Sequence, residues 1–442
     1  MNFEAKLAAP TPAVSGAEPA LARSFLPITA LSLAIAAGFT AMMSFGTVQE
    51  AAKAELGLSD AVLGLIQGVS AAVPLVLFSI PIGILVDRGN RMRLFIALAL
   101  TWTLGTAITA YAPNVAILFV GRMLTGIGTT GALTAALSLS ADLCGPTERG
   151  RGVLLISLGK ALGQAAAFAV VGWTFGYFVQ TSAANWLGLA PWRSTHLALT
   201  FASLACILPL LFFREPPRHE VEAQVGAPFR VLAGEFWERR GFLLPLFAGQ
   251  VTVVMADAAA AIWAAPVLGR DFGQQPQDFA GWMGAMMLFT GIAGAVLGGI
   301  AADAGQKTGR RGGLLIGAVI AAVLAIPAAL FPLAGSTTLF AIALGTLVLC
   351  GTVTGLITSV ALTVFVPNEL RGLCIGAFIA VAGLIGFGIA PSLVTLISSL
   401  LGGEQHLATA LAGVGFTVSL VSLGAFVVAM RNAPSNATEP VR

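Results

Sequence analysis

Charge is what this sequence has least of. Only 10% of its 442 residues are Asp, Glu, Lys or Arg, against about 25% in an ordinary soluble domain. That scarcity excludes a large soluble helical protein, whose helices need polar faces toward water. Histidine is scarce too: His196, His219 and His406 are the three in the chain. None stands in a His-x-x-x-His spacing or beside an acid cluster, so there is no convergent centre for a membrane enzyme. The four cysteines, Cys144, Cys206, Cys350 and Cys374, form no Cys-x-x-Cys pair, which argues against a disulfide or a zinc site. No Gly-x-x-x-x-Gly-Lys-Ser/Thr loop is present for ATP, and no basic cluster with interleaved aromatics for nucleic acid. Residues 1–22 lack the basic start and short apolar core of a signal peptide. No cofactor, metal or nucleic-acid partner is expected.

What is abundant is apolar sequence, at 57% of residues. It comes in runs of roughly 20, the length that crosses a bilayer as a helix. Spans are expected near 25–48, 61–85, 94–112, 115–142, 152–178 and 195–213. Six more are expected near 241–267, 279–302, 313–333, 338–365, 372–401 and 407–430. The fold class is therefore all-α integral membrane, with twelve transmembrane helices in two six-helix bundles. Residues 1–22 form a tail, 23–213 the first bundle, 214–240 a linker, 241–431 the second bundle and 432–442 a second tail. With both termini cytoplasmic, 18 of the 23 Lys and Arg residues fall in inner loops and tails, and three (Lys53, Arg193, Arg270) in outer loops. That bias favours this orientation, and a bacterial inner membrane is the expected location.

The charged turns repeat. Gly83-Ile84-Leu85-Val86-Asp87-Arg88-Gly89-Asn90-Arg91-Met92-Arg93 has a weaker copy at Gly298 to Arg311, with Asp87 and Asp303 lying 216 positions apart. Pro146-Thr147-Glu148-Arg149-Gly150 and Pro367-Asn368-Glu369-Leu370-Arg371-Gly372 are offset by 221. A chain that repeats its turns over half its length is built from two related halves.

These residues carry a resemblance. Gly83-x-Leu85-x-Asp87-Arg88-x-x-Arg91-x-Arg93 resembles the loop signature between helices two and three of the major facilitator superfamily. Gly121-Arg122-Met123-Leu124-Thr125-Gly126-Ile127-Gly128 is similar to its fourth-helix motif. Leu56-Gly57-Leu58-Ser59-Asp60, Trp192-Arg193, Arg214-Glu215-Pro216-Pro217-Arg218 and Leu384-Ile385-Gly386-Phe387-Gly388-Ile389-Ala390-Pro391 resemble the spinster-like branch. The resemblance implies a proton-linked carrier of lipids or amphipathic organic acids, and a cytoplasmic latch built from Gly83, Asp87, Arg88, Arg91 and Asp303, with helix eleven near Gly372 as its partner. The branch's Asp-Arg pair on helix one falls here on Ala41 and Met42, and its fourth-helix Glu on Thr129. Coupling is then expected elsewhere.

Three ionisable residues inside the spans are the candidates for that work: Arg122, Lys160 and Asp257. Each costs at least about 2.5–3.5 kcal/mol to insert, so it needs a use. Arg122 can meet substrate or the proton site, or lock helix four onto backbone carbonyls. Lys160 can counter an anionic substrate or snorkel. Asp257, among alanines, is the expected proton carrier. Gln67, Thr129, Gln164, Trp173, Gln250 and Trp263 are cavity candidates. The reading is a monomeric secondary transporter working by alternating access in membrane lipid, for a small anionic or amphipathic, lipid-like solute coupled to protons. A proton-independent facilitator, a lipid or drug exporter and a transport-dead receptor are the alternatives.

Overall fold

The computed structural model describes residues 21–144, 148–181, 187–217, 237–366, 378 and 380–434. The first half contains α1 (Leu21–Leu56), α2 (Asp60–Arg88), α3 (Arg91–Tyr111), α4 (Val115–Leu143), α5 (Arg149–Gln180) and α6 (Pro191–Ile207). The second contains α7 (Arg240–Phe272), α8 (Pro276–Lys307), α9 (Ile316–Ala328), α10 (Thr337–Phe365), α11 (Ala380–Leu400) and α12 (Leu407–Arg431). Among the described residues, eleven helical stretches are long and apolar enough to cross a membrane by length and composition. The 29-residue α2 completes the order of twelve.

The repeat seen in the sequence is visible in the backbone. Gly57 (φ 64°) turns the chain between α1 and α2, and Gly273 (φ 66°) does so between α7 and α8. They lie 216 positions apart, the same offset as Asp87 and Asp303. Both sit in the left-handed region that glycine adopts without a Cβ penalty. The turns are capped by short polar side chains. Ser59 accepts from the Val62 amide at the start of α2, Asn90 from Arg93 at α3 and Asn114 from Ile117 at α4. Each satisfies an amide that the first helical turn leaves orphaned.

Inside the bilayer there is no hydrophobic drive between helices, so small residues set the packing. Gly105 of α3 meets Gly121 and Thr125 of α4, and Gly163 of α5 meets Ala36 and Phe39 of α1. The halves meet along two further seams. Gly64 and Gly68 of α2 lie on Pro391 and Gly388 of α11, and Gly172 and Gly284 join α5 to α8. In α11 the stretch Gly383–Ile389 is π-helical. The face carrying the start of α1 is the terminal face, and the opposite one the far face.

Arg91 anchors the first half at its terminal face. It is 3% exposed. Its Nε donates to Glu215 at 2.8 Å, Nη1 pairs with Asp142, and Nη1 also donates to the Ser138 carbonyl at 3.2 Å. Glu215 in turn accepts from the Met92 amide at 2.8 Å. Removing one member of such a pair leaves the other buried charge uncompensated. Arg91→Leu is expected to cost about 2 kcal/mol of stability, the fully buried figure discounted because Asp142 and Glu215 are partly wet. A thermal melt in detergent checks this, with the exposed Arg88→Ala as a control that leaves the midpoint in place.

Candidate functional site

Both halves contribute to a central cavity of about 50 Å³. Its first-half wall is Met42, Met43 and Gly46 of α1, Gln67 and Ser70 of α2, Arg122 and Gly126 of α4, and Phe168 of α5. The second half supplies Ala258, Ala261 and Ile262 of α7 and Phe387 from the π-helical part of α11. The walls are apolar except for Gln67, Ser70 and one cation, Arg122.

Arg122 is 5% exposed. Its Nη1 donates to the Ala41 carbonyl at 3.0 Å and its Nη2 to the Met42 carbonyl. Its guanidinium carbon lies 5.5 Å from the Phe45 ring centroid. Its Nε is buried without a hydrogen-bond partner, and no carboxylate pairs with it among the described residues. The backbone bonds hold the side chain in place, and the open Nε leaves it one donor short. Both uses foreseen for Arg122, locking α4 to α1 and facing the cavity, are thus compatible in one geometry.

Gln67 also lines the cavity, and its Nε2 donates to Gln49 Oε1 at 3.3 Å. Gln49 is fully buried and donates to the Ile262 carbonyl of α7 at 2.6 Å. These two amides bridge the halves. Trp263 is fully buried, and its Nε1 donates to the Pro391 carbonyl of α11 at 3.2 Å. Gln250 accepts from Thr358 of α10 at 3.2 Å. Thr129 donates to the Gly38 carbonyl at 3.1 Å and pins α4 to α1. Trp173 is 58% exposed on the outer surface of α5. Lys160 and Gln164 are half-buried on α5, with the Lys160 ammonium 5.5 Å from the Phe39 ring centroid.

Asp257 does not join Arg122. It turns away from the central cavity into the interior of the second half, against Cys350, Gly351 and Thr354 of α10. Of the latch residues, Asp87, Arg88 and Asp303 are exposed, Gly83 is half-buried, and Arg91 is engaged by Asp142 and Glu215. Gly372, the partner expected for them, lies outside the described residues.

One charged cluster was not singled out from the sequence. At the far face Arg270, in the last turn of α7, donates to Glu50 of α1 at 2.7 and 3.1 Å, and to Asp60 of α2 at 2.6 and 2.7 Å. Lys53 of α1 bonds Asp60 at 2.6 Å and Glu404, before α12, at 2.5 Å. Glu404 also accepts from the Asp60 amide at 2.7 Å. Three acids and two cations thus tie the two halves together. Asp60 is only 2% exposed at the centre. The available signal was that Lys53 and Arg270 are two of three cations on a face otherwise poor in them.

Comparison with known proteins agrees with this geometry. Residues 30–391 match the family model described as Major Facilitator Superfamily. Over 354 residues the chain is 26% identical to a protein of Cupriavidus pinatubonensis described as "Probable 4-methylmuconolactone transporter", with 78% of each chain covered. It is 27% identical over 267 residues to Protein spinster homolog 1 of Mus musculus, covering 54% of this chain and 47% of that one. A crystal structure of a bacterial homologue of the human lysosomal transporter spinster, inward-facing and unoccupied, matches at TM-score 0.75 and 21% identity. That match covers 92% of this chain and 95% of the other, and at such identity it speaks for the fold.

Proposed function

The chain belongs to the major facilitator superfamily, and from that premise we propose that it is a secondary carrier of a small organic anion with an apolar body. The observation that carries the reading is the buried Arg122 guanidinium: without a carboxylate partner among the described residues, one donor short, and lining a mostly apolar cavity. A buried charge without a partner is costly, and a carboxylate entering the cavity offsets that cost through a charge-assisted hydrogen bond. Met42, Met43, Phe168 and Phe387 suit a ring or short chain attached to that carboxylate. The relative named for a 4-methylmuconolactone is in keeping with a small organic solute.

The far-face cluster and the Gln49–Gln67 bridge join the two halves. Transport by alternating access requires that these contacts break while the terminal face closes. The Lys and Arg bias supports a cytoplasmic terminal face. A facilitator without ion coupling is the second reading, favoured by one observation: among the described residues none that lines the central cavity is an acid.

The test is equilibrium binding to the purified protein. Aromatic and lactone monocarboxylates are each compared with their neutral amides. A carboxylate that binds is expected to exceed its amide by about 10–100-fold, the worth of one charge-assisted bond. Arg122→Gln should remove the difference while leaving amide affinity in place. Equal affinity for acid and amide in the wild type would sink the anion reading.

A further inference from the structure

A groove of about 570 Å³ opens on the first half at its terminal face. One wall is the start of α3, from Asn90 to Leu100, and the other is the chain that leaves α6, from Leu211 to Glu215. Its two ends differ in chemistry. Nearest the terminal face stand Arg93, in the first turn of α3, and Arg214, just past the short helical turn Leu208–Phe212 that closes α6. Both are exposed, and among the described residues neither guanidinium makes an ion pair or a hydrogen bond. The one acid of the lining, Glu215, is already engaged: one oxygen accepts from Arg91 Nε and the other from the Met92 amide, both at 2.8 Å. Two guanidinium groups are left unmatched.

Away from that end the groove is apolar, with Ile96, Ala97 and Leu100 on one side and Leu211 and Phe213 on the other. The apolar surface continues along the spans. Leu104 of α3 and Leu204 and Leu208 of α6 are exposed, and Phe212 is 86% exposed. Exposed apolar side chains on membrane helices meet lipid chains, and arginines at the helix ends lie at headgroup depth. A cationic end at headgroup depth above an apolar channel matches the two parts of one phospholipid. An anionic headgroup suits the two guanidiniums, whereas a choline headgroup sets its own cation against them. A soluble anion would use the arginines and leave the channel unused.

We propose that this groove binds one anionic phospholipid of the terminal-face leaflet, its phosphate between Arg93 and Arg214 and an acyl chain along Ile96, Ala97 and Leu100. Arg214 adjoins Glu215, so the lipid also holds the joint where α6 passes into the linker between the halves. The site stands without the carrier reading.

The test is native mass spectrometry of the full-length protein in detergent, titrated with phosphatidylglycerol or with phosphatidylcholine of the same acyl chains. The first phosphatidylglycerol is expected to bind about 30-fold more tightly than phosphatidylcholine, the worth of two interfacial arginines. Arg93→Gln/Arg214→Gln should bring the two lipids level. Arg151→Gln/Arg310→Gln, which removes two exposed arginines elsewhere on the same face, should keep the difference. Glycerol phosphate, a soluble headgroup without chains, should displace no lipid. A wild type that binds both lipids alike overturns the site, as when the linker acids Glu220 and Glu222 neutralise the arginines instead. A site-pair variant that keeps the preference, or a control pair that loses as much, also overturns it. Displacement by glycerol phosphate would mean a soluble-anion site and no lipid. Should Arg93→Gln/Arg214→Gln fail to fold, Ala97→Trp decides, because it fills the channel and keeps both arginines. Weakened phosphatidylglycerol binding in that variant supports the site, and unchanged binding overturns it.

Discussion

Gly68→Val is expected to lower uptake by about 10–100-fold while leaving the protein folded. A Cβ at position 68 would lie 2.8 Å from the Gly388 carbonyl oxygen and 2.9 Å from that of Phe387. Both are backbone atoms of the π-helical segment of α11, so no side chain can rotate away. Closing the α2–α11 seam over a valine forces a backbone shift costing about 1–3 kcal/mol, which sets the size of the loss through the population of the closed state. The contacts in question lie between the halves, which is why the fold should survive. Gly64→Ala, whose nearest approach is 3.3 Å to the Pro391 carbonyl, is expected to be milder. Gly413→Ala, with nothing within 4 Å, should behave as wild type. Initial uptake rates in proteoliposomes, beside a melt of each variant, check the series. A Gly68→Val protein with wild-type uptake would remove the seam from the transport cycle.

The second large effect is expected at Arg270. Its guanidinium makes four hydrogen bonds to Glu50 and Asp60. Without it, Lys53 alone faces Glu50, Asp60 and Glu404 across the far face. Breaking a fully buried pair costs about 3–5 kcal/mol. Glu50 is 39% exposed and Glu404 44%, so solvent screening reduces the figure here to about 2 kcal/mol. That shifts the balance between far-closed and far-open states by about 30-fold. An Ala261→Cys probe in the central cavity reads it out with a membrane-impermeant maleimide applied to the far face. Labelling should rise strongly in Arg270→Gln, and high salt, which screens the wild-type cluster, should raise wild-type labelling more than that of the variant. Unchanged labelling would mean that the cluster is not a gate.

The sequence made some of this legible and not the rest, for physical reasons. Runs of apolar residues fix helices through length alone, so the order of twelve was readable, and the 216-residue offset reappears as Gly57 and Gly273 with matching φ. Arg122 was readable because an arginine in a span is rare and costly. Which way a side chain turns is another matter. Asp257 and Ala258 are neighbours in sequence, and only packing sends one to the second-half interior and the other to the central cavity. Thr129 looked like a cavity residue and is instead spent on the Gly38 carbonyl. The apolar walls, Met42, Met43 and Phe168, carry no signal in a chain that is mostly apolar. The far-face cluster was hidden because its members come from four separate stretches, at Glu50–Lys53, Asp60, Arg270 and Glu404.

Counterflow tests the central claim most directly. Sealed proteoliposomes are preloaded with an unlabelled monocarboxylate from the binding panel and diluted into a trace of the labelled compound. An alternating-access carrier anchored on Arg122 should give a transient overshoot of label inside the wild-type vesicles, and Arg122→Gln vesicles should show none. Equal filling without overshoot for every carboxylate, or an Arg122→Gln overshoot equal to wild type, would contradict the account.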